Sequence, residues 1–250
     1  MKLGFVGAGN MAAAMARGWA RSDSPPEMLF SDLDAERAQS IADEVGGETR
    51  GDLASLAADS DAIILAVKPA ALGSVASELD GKAPPILSVM AVTSLASINE
   101  AFPGVPALRV IPNQPAEVGR GVLVHAAPQE GAEALLDLLS PLGTTIEVPE
   151  ETIDAAMAVM SCAPAYVALF AESLADAGSR DGLEPALSLE LVAGTLEGTA
   201  ELLRERDPAA IRDAVASPGG TTEAGLNALE AGGFSEAIAS AVEASLARFR

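Results

Sequence analysis

Leu3-Gly4-Phe5-Val6-Gly7-Ala8-Gly9-Asn10-Met11-Ala12 reads as a buried strand that runs straight into a glycine turn and then a helix. Gly7, Gly9 and Ala12 have the Gly-x-Gly-x-x-Gly/Ala spacing of a dinucleotide-binding turn. The first glycine makes the tight turn, the second lets a pyrophosphate approach the backbone, and the third small residue lets helix pack on strand. Free N–H groups at Asn10 and Met11, on the positive end of the helix dipole, would face that pyrophosphate. The spacing alone also occurs in ordinary turns. Its surroundings favour the dinucleotide: an alanine-rich amphipathic helix runs to about Arg21, and a second strand, Met28 to Ser31, ends on Asp32.

Farther along, Asp34 can cap a helix to about Glu44 that the Gly46-Gly47 pair ends. Ala62 to Val67 is a wholly apolar strand closed by Lys68-Pro69, and Pro85 to Val89 and Ala107 to Ile111 repeat the pattern. Val122 to Ala126 and Thr145 to Val148 are further strand candidates flanking a helix at about 130 to 139. Alternation of this kind predicts an α/β, Rossmann-like doubly wound sheet over residues 1–150, with ligands at its carboxyl edge. From Thr152 onward strand signals vanish, and helices are predicted at about 152–178, 185–205, 208–215, 221–230 and 234–248. Residues 151–250 therefore read as an all-helical domain. Its small-residue apolar faces are too extensive for about 100 residues to hide alone, so a second copy of the chain is expected to cover them.

Composition narrows the function. Hydrophobic residues make up 49% and aromatics only 3%, so the core must be built from Ala, Leu, Val and Ile. Thirty-six acidic against 15 basic residues give a formal charge of −21, which opposes a nucleic-acid or anionic-membrane partner. A lone Cys162 precludes an intramolecular disulfide and any cysteine-clustered metal site, and with no leader pattern it fits a cytoplasmic protein. Residues 155–171 are nearly free of charge but contain Ser161, Cys162, Pro164 and Tyr166, which reads as a helix pair buried in protein rather than a membrane span.

Taken together, FVGAGNMA (Phe5 to Ala12), AVKP (Ala66 to Pro69), RVIPNQPA (Arg109 to Ala116), APAYV (Ala163 to Val167), the ADAG and GL elements between Ala175 and Leu183, SPGGTT (Ser217 to Thr222) and LEAGGF (Leu229 to Phe234) resemble the pyrroline-5-carboxylate reductase family over nearly the whole chain. That resemblance implies reduction of the C=N bond of 1-pyrroline-5-carboxylate to L-proline, the last step of proline biosynthesis, by NADH or NADPH. It implies a homodimer or higher homo-oligomer, with an active site between the sheet edge and the helical domain that a partner subunit often completes. Chemistry read from the residues agrees. Ser217, Gly219, Gly220, Thr221 and Thr222 set backbone N–H groups and hydroxyls around one point at a helix start, a cradle for a small carboxylate. Hydride attack on an already protonated cyclic imine needs positioning more than a nucleophile.

By the resemblance, Thr222 hydrogen-bonds the ring nitrogen as the catalytic residue; a capping threonine is the plain alternative. Glu150 matches a family glutamate near the substrate, or simply caps a helix. Ala66, Val67, Lys68 and Pro69 match a turn lining the cofactor, against a solvated strand-end lysine. Ala91 corresponds to a small residue beside the nicotinamide, and Asn113 to the asparagine of a cofactor-side turn, where an Asx turn is the alternative. His125 and Tyr166 read as structural, Arg109 as a strand-start charge, and no metal is expected.

Some positions depart from the family pattern: Ser161 and Ala163 stand for glycines, Leu53 for an adenosine-side asparagine, Gln114 for a threonine and Val92 for a glycine. Asp32, 23 residues after Gly9, would accept hydrogen bonds from ribose hydroxyls and repel a 2′-phosphate, so NADH is expected to be favoured, with Arg37 the nearby cation that could rescue phosphate binding. Two rivals stand beside this reading. One is a reductase of another imine or of a β-hydroxyacid, although the latter needs a helix lysine and none follows Lys82; the other is a non-catalytic nucleotide-binding regulator.

Overall fold

A computed structural model describes residues 1–248. The opening stretch forms β1 (Lys2–Val6) and α1 (Asn10–Ala20), followed by β2 (Glu27–Ser31), α2 (Ala35–Val45), β3 (Glu48–Thr49), α3 (Leu53–Ala58) and β4 (Ala62–Leu65). Then come α4 (Leu72–Leu79), β5 (Ile86–Ser88), α5 (Leu95–Ala101), β6 (Ala107–Ile111), β7 (Gly121–His125), α6 (Ala134–Asp137) and β8 (Gly143–Glu147). The strands form one sheet in the order β3-β2-β1-β4-β5-β6-β7-β8, parallel except where β6 meets β7. The order reverses between β1 and β4, the switch point at which such sheets take their ligands. Register sets Val6 beside both Ser31 and Leu65, so the residues that follow them, Gly7, Asp32 and Ala66, leave the sheet side by side.

Two buried layers explain why the strands are so apolar. On one face Phe5 stacks on Phe30 at 4.6 Å and meets the edge of Trp19 at 5.8 Å. Each such ring contributes about 2–3 kcal/mol on burial. The Trp19 Nε1–H donates to the Leu138 carbonyl at 2.7 Å, which satisfies the indole donor inside that layer. The opposite layer holds Val6, Ile63, Leu65, Ile86 and Met90, and it also takes Leu53, only 9% exposed, which is core rather than edge. Gly18 lets α1 lie against the turn at residues 114–118, because a Cβ there would collide with the Ala116 carbonyl oxygen.

The helix expected at about 130–139 shrinks to the four residues of α6: Gly131 takes a φ of +87° and helical bonding gives way to 3₁₀ turns around Pro141. The helical span expected at 152–178 divides into α7 (Ile153–Met160) and α8 (Ala163–Arg180), the pair that residues 155–171 suggested. Pro164 lacks an N–H and its ring would clash with the carbonyl four residues earlier, that of Met160, which instead accepts the Asn113 Nδ2–H at 3.1 Å. By packing, the chain divides into two compact units, Met1–Pro164 and Ala165–Arg248. The first reaches past residue 150 because Ile153 and Met157 of α7 pack with Ile111 and Val124.

In the second unit α8 is followed by α9 (Pro185–Glu205), α10 (Pro208–Val215), α11 (Thr221–Ala231) and α12 (Phe234–Leu246), close to expectation, with the last two positions of the chain outside the described residues. Gly178 lets α8 and α9 touch: a Cβ would sit 2.6 Å from Ser188 Oγ, which donates to the Ala175 carbonyl at 2.8 Å. Tyr166 ties α8 to α12 through Ser245 at 2.6 Å, a packing role. The unit leaves Leu169, Leu189, Leu191 and Leu203 about half or more exposed. The nearly uncharged stretch in α7 and α8 is long and apolar enough to cross a membrane by length and composition, and 17% of that window is buried within this single chain.

Candidate functional site

At the carboxyl edge of β1, Gly7 has a φ of +98°, and a Cβ on it would lie 2.6 Å from the Ala66 carbonyl oxygen, so only glycine fits between β1 and β4. Gly9 differs. Its φ of −71° suits any residue and a Cβ would enter open space, so nothing inside the protein requires a glycine there. An external group that must reach the backbone does require one. Gly9 caps α1 with no side-chain hydrogen bond and no acidic residue follows in the first turn, which leaves the Asn10 and Met11 amides for an anion. Ala12, 1% exposed, is the small residue packed under the turn. The residues present fit a dinucleotide pyrophosphate.

Asp32 does more than the sequence suggested. One carboxylate oxygen accepts the Ala8 N–H at 2.7 Å and the other the Asp34 N–H at 2.8 Å, so it braces the glycine turn. Ala66, Val67, Lys68 and Pro69 leave β4 at the same edge; Lys68 is exposed and Pro69 opens a 3₁₀ turn. Ala91 follows β5, its carbonyl accepting from the Thr93 hydroxyl at 3.1 Å. Beside it Val92 has a φ of +54°, a left-handed conformation that a β-branched residue rarely takes and that suits the glycine whose place it fills.

Two predicted ligands have other work. Asn113, 6% exposed, donates to Met160 and accepts the Val122 N–H at 2.9 Å, so both ends of its amide are taken up inside the protein, by backbone groups far along the chain rather than by the local bond of an Asx turn. Glu150 accepts the Leu95 N–H at 2.7 Å and a guanidinium N–H of Arg109 at 3.3 Å through the same oxygen, anchoring the start of the α7 segment. Arg109 is not a strand-start charge. It lies within β6, 4% exposed, and its other terminal nitrogen donates to Asp154 at 3.0 Å. A charge inside an apolar run was the available signal. His125 is structural as expected, buried with Nδ1 2.9 Å from the Ala126 carbonyl oxygen. Among the described residues no cluster of His, Cys, Asp and Glu could hold a metal ion.

The second unit carries the serine-glycine-threonine turn. Gly219 has a φ of +72°, and Gly220 leaves no room for a Cβ against Ser217 Oγ, 2.6 Å away. Two of the expected cradle amides are committed: Gly220 N–H donates to the Ser217 carbonyl at 2.9 Å, and Gly219 N–H to Glu223 Oε2 at 2.8 Å. Glu223, in the first turn of α11, is the residue the sequence reading missed; an acidic side chain three positions past a helix cap was its signal. Free donors remain in the Thr221 and Thr222 amides at the helix start, beside the Ser217, Thr221 and Thr222 hydroxyls.

A doubly wound sheet with a braced glycine turn at its switch point, followed by a helical unit bearing a small anion cradle, defines a nicotinamide-dinucleotide-dependent oxidoreductase. Comparisons narrow the class. A family model for pyrroline-5-carboxylate reductase dimerisation matches residues 150–250, and one for NADP oxidoreductase, coenzyme F420-dependent, matches residues 2–92. A pyrroline-5-carboxylate reductase of Synechocystis sp. is 39% identical over 99% of this chain and 97% of its own length. Among solved structures, the 1-pyrroline-5-carboxylate reductase of Streptococcus pyogenes superposes with a TM-score of 0.87 at 30% identity, covering 100% of this chain and 98% of that one. A Plasmodium falciparum pyrroline carboxylate reductase with NADP bound gives 0.87 at 29% identity, covering 100% and 97%. The chain belongs to the pyrroline-5-carboxylate reductase family.

Proposed function

We propose that this chain reduces the C=N bond of 1-pyrroline-5-carboxylate to give L-proline, with NADH favoured over NADPH, and works in the cytoplasm as a homodimer or higher homo-oligomer. The observation that carries the reading is the Ser217–Thr222 turn at the head of α11, in a chain whose whole length matches enzymes named for this reaction. Gly7, Gly9, Asn10 and Met11 hold the pyrophosphate, and Asp32 takes the ribose hydroxyls with the lone pairs that the Ala8 and Asp34 amides leave. Ala66 to Pro69 and Ala91 flank the nicotinamide end, where small side chains leave the ring unobstructed. When bound, the reduced nicotinamide supplies the hydride that adds to the imine carbon.

Thr221 and Thr222 amides with the Ser217 hydroxyl hold the substrate carboxylate, which competes with Glu223 for the Gly219 amide. The Thr222 hydroxyl oxygen accepts the N–H of the protonated ring, fixing the imine carbon's orientation, and no protein group has to give or take a proton during the transfer. Asn113 and Glu150 support the first unit rather than touch ligand.

Purified protein assayed with pyrroline-5-carboxylate, a six-membered-ring analogue and both cofactors tests this directly. Thr222→Ala is expected to lower kcat about 10- to 100-fold while cofactor affinity stays within about twofold. Unchanged turnover would take Thr222 out of the mechanism, and a clear advantage for NADPH would refute the cofactor preference.

A further inference from the structure

Two arginines stand near the end of β2 that carries Asp32, Arg37 on α2 and Arg50 after β3, and each would favour a 2′-phosphate if it were free. The N-terminus of α2, an eleven-residue helix, starts three residues past Asp32, and such an end ordinarily attracts anions. Here it carries Asp34 at its cap and Glu36 in its first turn. Arg37 lies on the same turn, and its guanidinium is held 3.0 Å from Asp34 Oδ2 while its backbone N–H donates to Asp34 Oδ1 at 3.1 Å. Those two bonds hold the Asp34 carboxyl below the usual carboxylate range, so it stays charged at neutral pH. Arg50 follows β3 next to Ser31, its N–H bonded to the Phe30 carbonyl at 2.8 Å. It is held too, by Asp59 at 2.8 Å and Glu48 at 2.9 Å.

Resting on the NADH reading above, we propose that Asp34 is a second specificity determinant, acting by holding Arg37 away from the ribose. Asp32 excludes a 2′-phosphate by direct repulsion. Asp34 removes the cation that could compensate, and its own charge adds to the repulsion. A free Arg37 would present a planar pair of donors suited to phosphate. Asp34 is thus a positioning residue for selectivity, acting through another side chain.

Titration calorimetry with ADP-ribose and 2′-phospho-ADP-ribose as probes reads this without turnover. Asp34→Ser keeps a capping hydroxyl for α2 but cannot reach the guanidinium. It is expected to tighten the phosphorylated probe about tenfold and leave ADP-ribose within about twofold. Adding Arg37→Ala should cancel the gain, and thermal melts of both variants check that α2 remains folded. A wild type that favours ADP-ribose combined with an unresponsive Asp34→Ser overturns the Asp34 proposal and leaves the NADH reading intact. A gain that survives Arg37→Ala overturns it as well. Tighter binding of the phosphorylated probe by the wild type defeats the NADH reading and this proposal together.

Discussion

Val92 is held at a φ of +54° while 44% exposed, so neither buried packing nor a glycine's freedom compensates the steric cost of its branched side chain. Strain of this kind runs to about 1–3 kcal/mol and is characteristic of ligand-facing edges. Val92→Gly is expected to raise stability by about 1 kcal/mol, the relief being partly offset by the freer unfolded chain, as measured by urea unfolding. A destabilised variant would mean that the side chain makes contacts outweighing its strain. Single positions differ in how far the sequence announces them. Asp32 was expected beside the glycine turn from its distance to Gly9 alone, because a strand, a turn and a helix have fixed lengths, and it does leave β2 next to Gly7. That it also grips the Ala8 amide could not be read, since that bond spans two strands.

Arg109 shows the same limit for elements. A parallel strand reads as apolar, and a guanidinium inside one is tolerated only where other elements bring carboxylates to it. Those come from Glu150 and Asp154, 41 and 45 residues on, which join β6 to the α7 segment. Glu150→Gln with Asp154→Asn would leave a buried cation without its counter-charges, at a cost of about 3 kcal/mol in denaturant unfolding; Arg109→Met, which removes the charge along with its need, should cost clearly less. Equal losses would show that packing, not ion pairing, fixes α7. The break between α7 and α8 is a further case. Pro164 already marked residues 155–171 as a helix pair, but Asn113, which takes the Met160 carbonyl the proline frees, comes from a distant turn.

At the scale of the molecule, the second unit exposes leucines along its helices that a single copy does not cover. The dimerisation family model matches residues 150–250, the stretch that carries these leucines, and supports a homo-oligomer. Light scattering after size exclusion is expected to give a dimer or larger species, and Leu169→Glu with Leu191→Glu to shift it toward monomer, each buried anchor being worth about 2 kcal/mol. A wild type that runs as a monomer at micromolar concentration would contradict this. The charge of −21 adds self-repulsion, so assembly should strengthen rather than weaken with moderate salt.

Read in order, the residues were enough for the strand-glycine-helix opening, the alternation that makes a doubly wound sheet, the helical second half and the turn at Ser217 to Thr222. Each of these rests on local periodicity, caps and turn chemistry within a few consecutive residues. Folding alone decided how the polar groups are spent: Asn113 and Glu150 inward, Gly219 on Glu223, Arg37 on Asp34, Arg109 on two carboxylates. A hydrogen-bonding group is satisfied by whatever the packed chain brings within about 3 Å, and sequence spacing alone does not fix that neighbour.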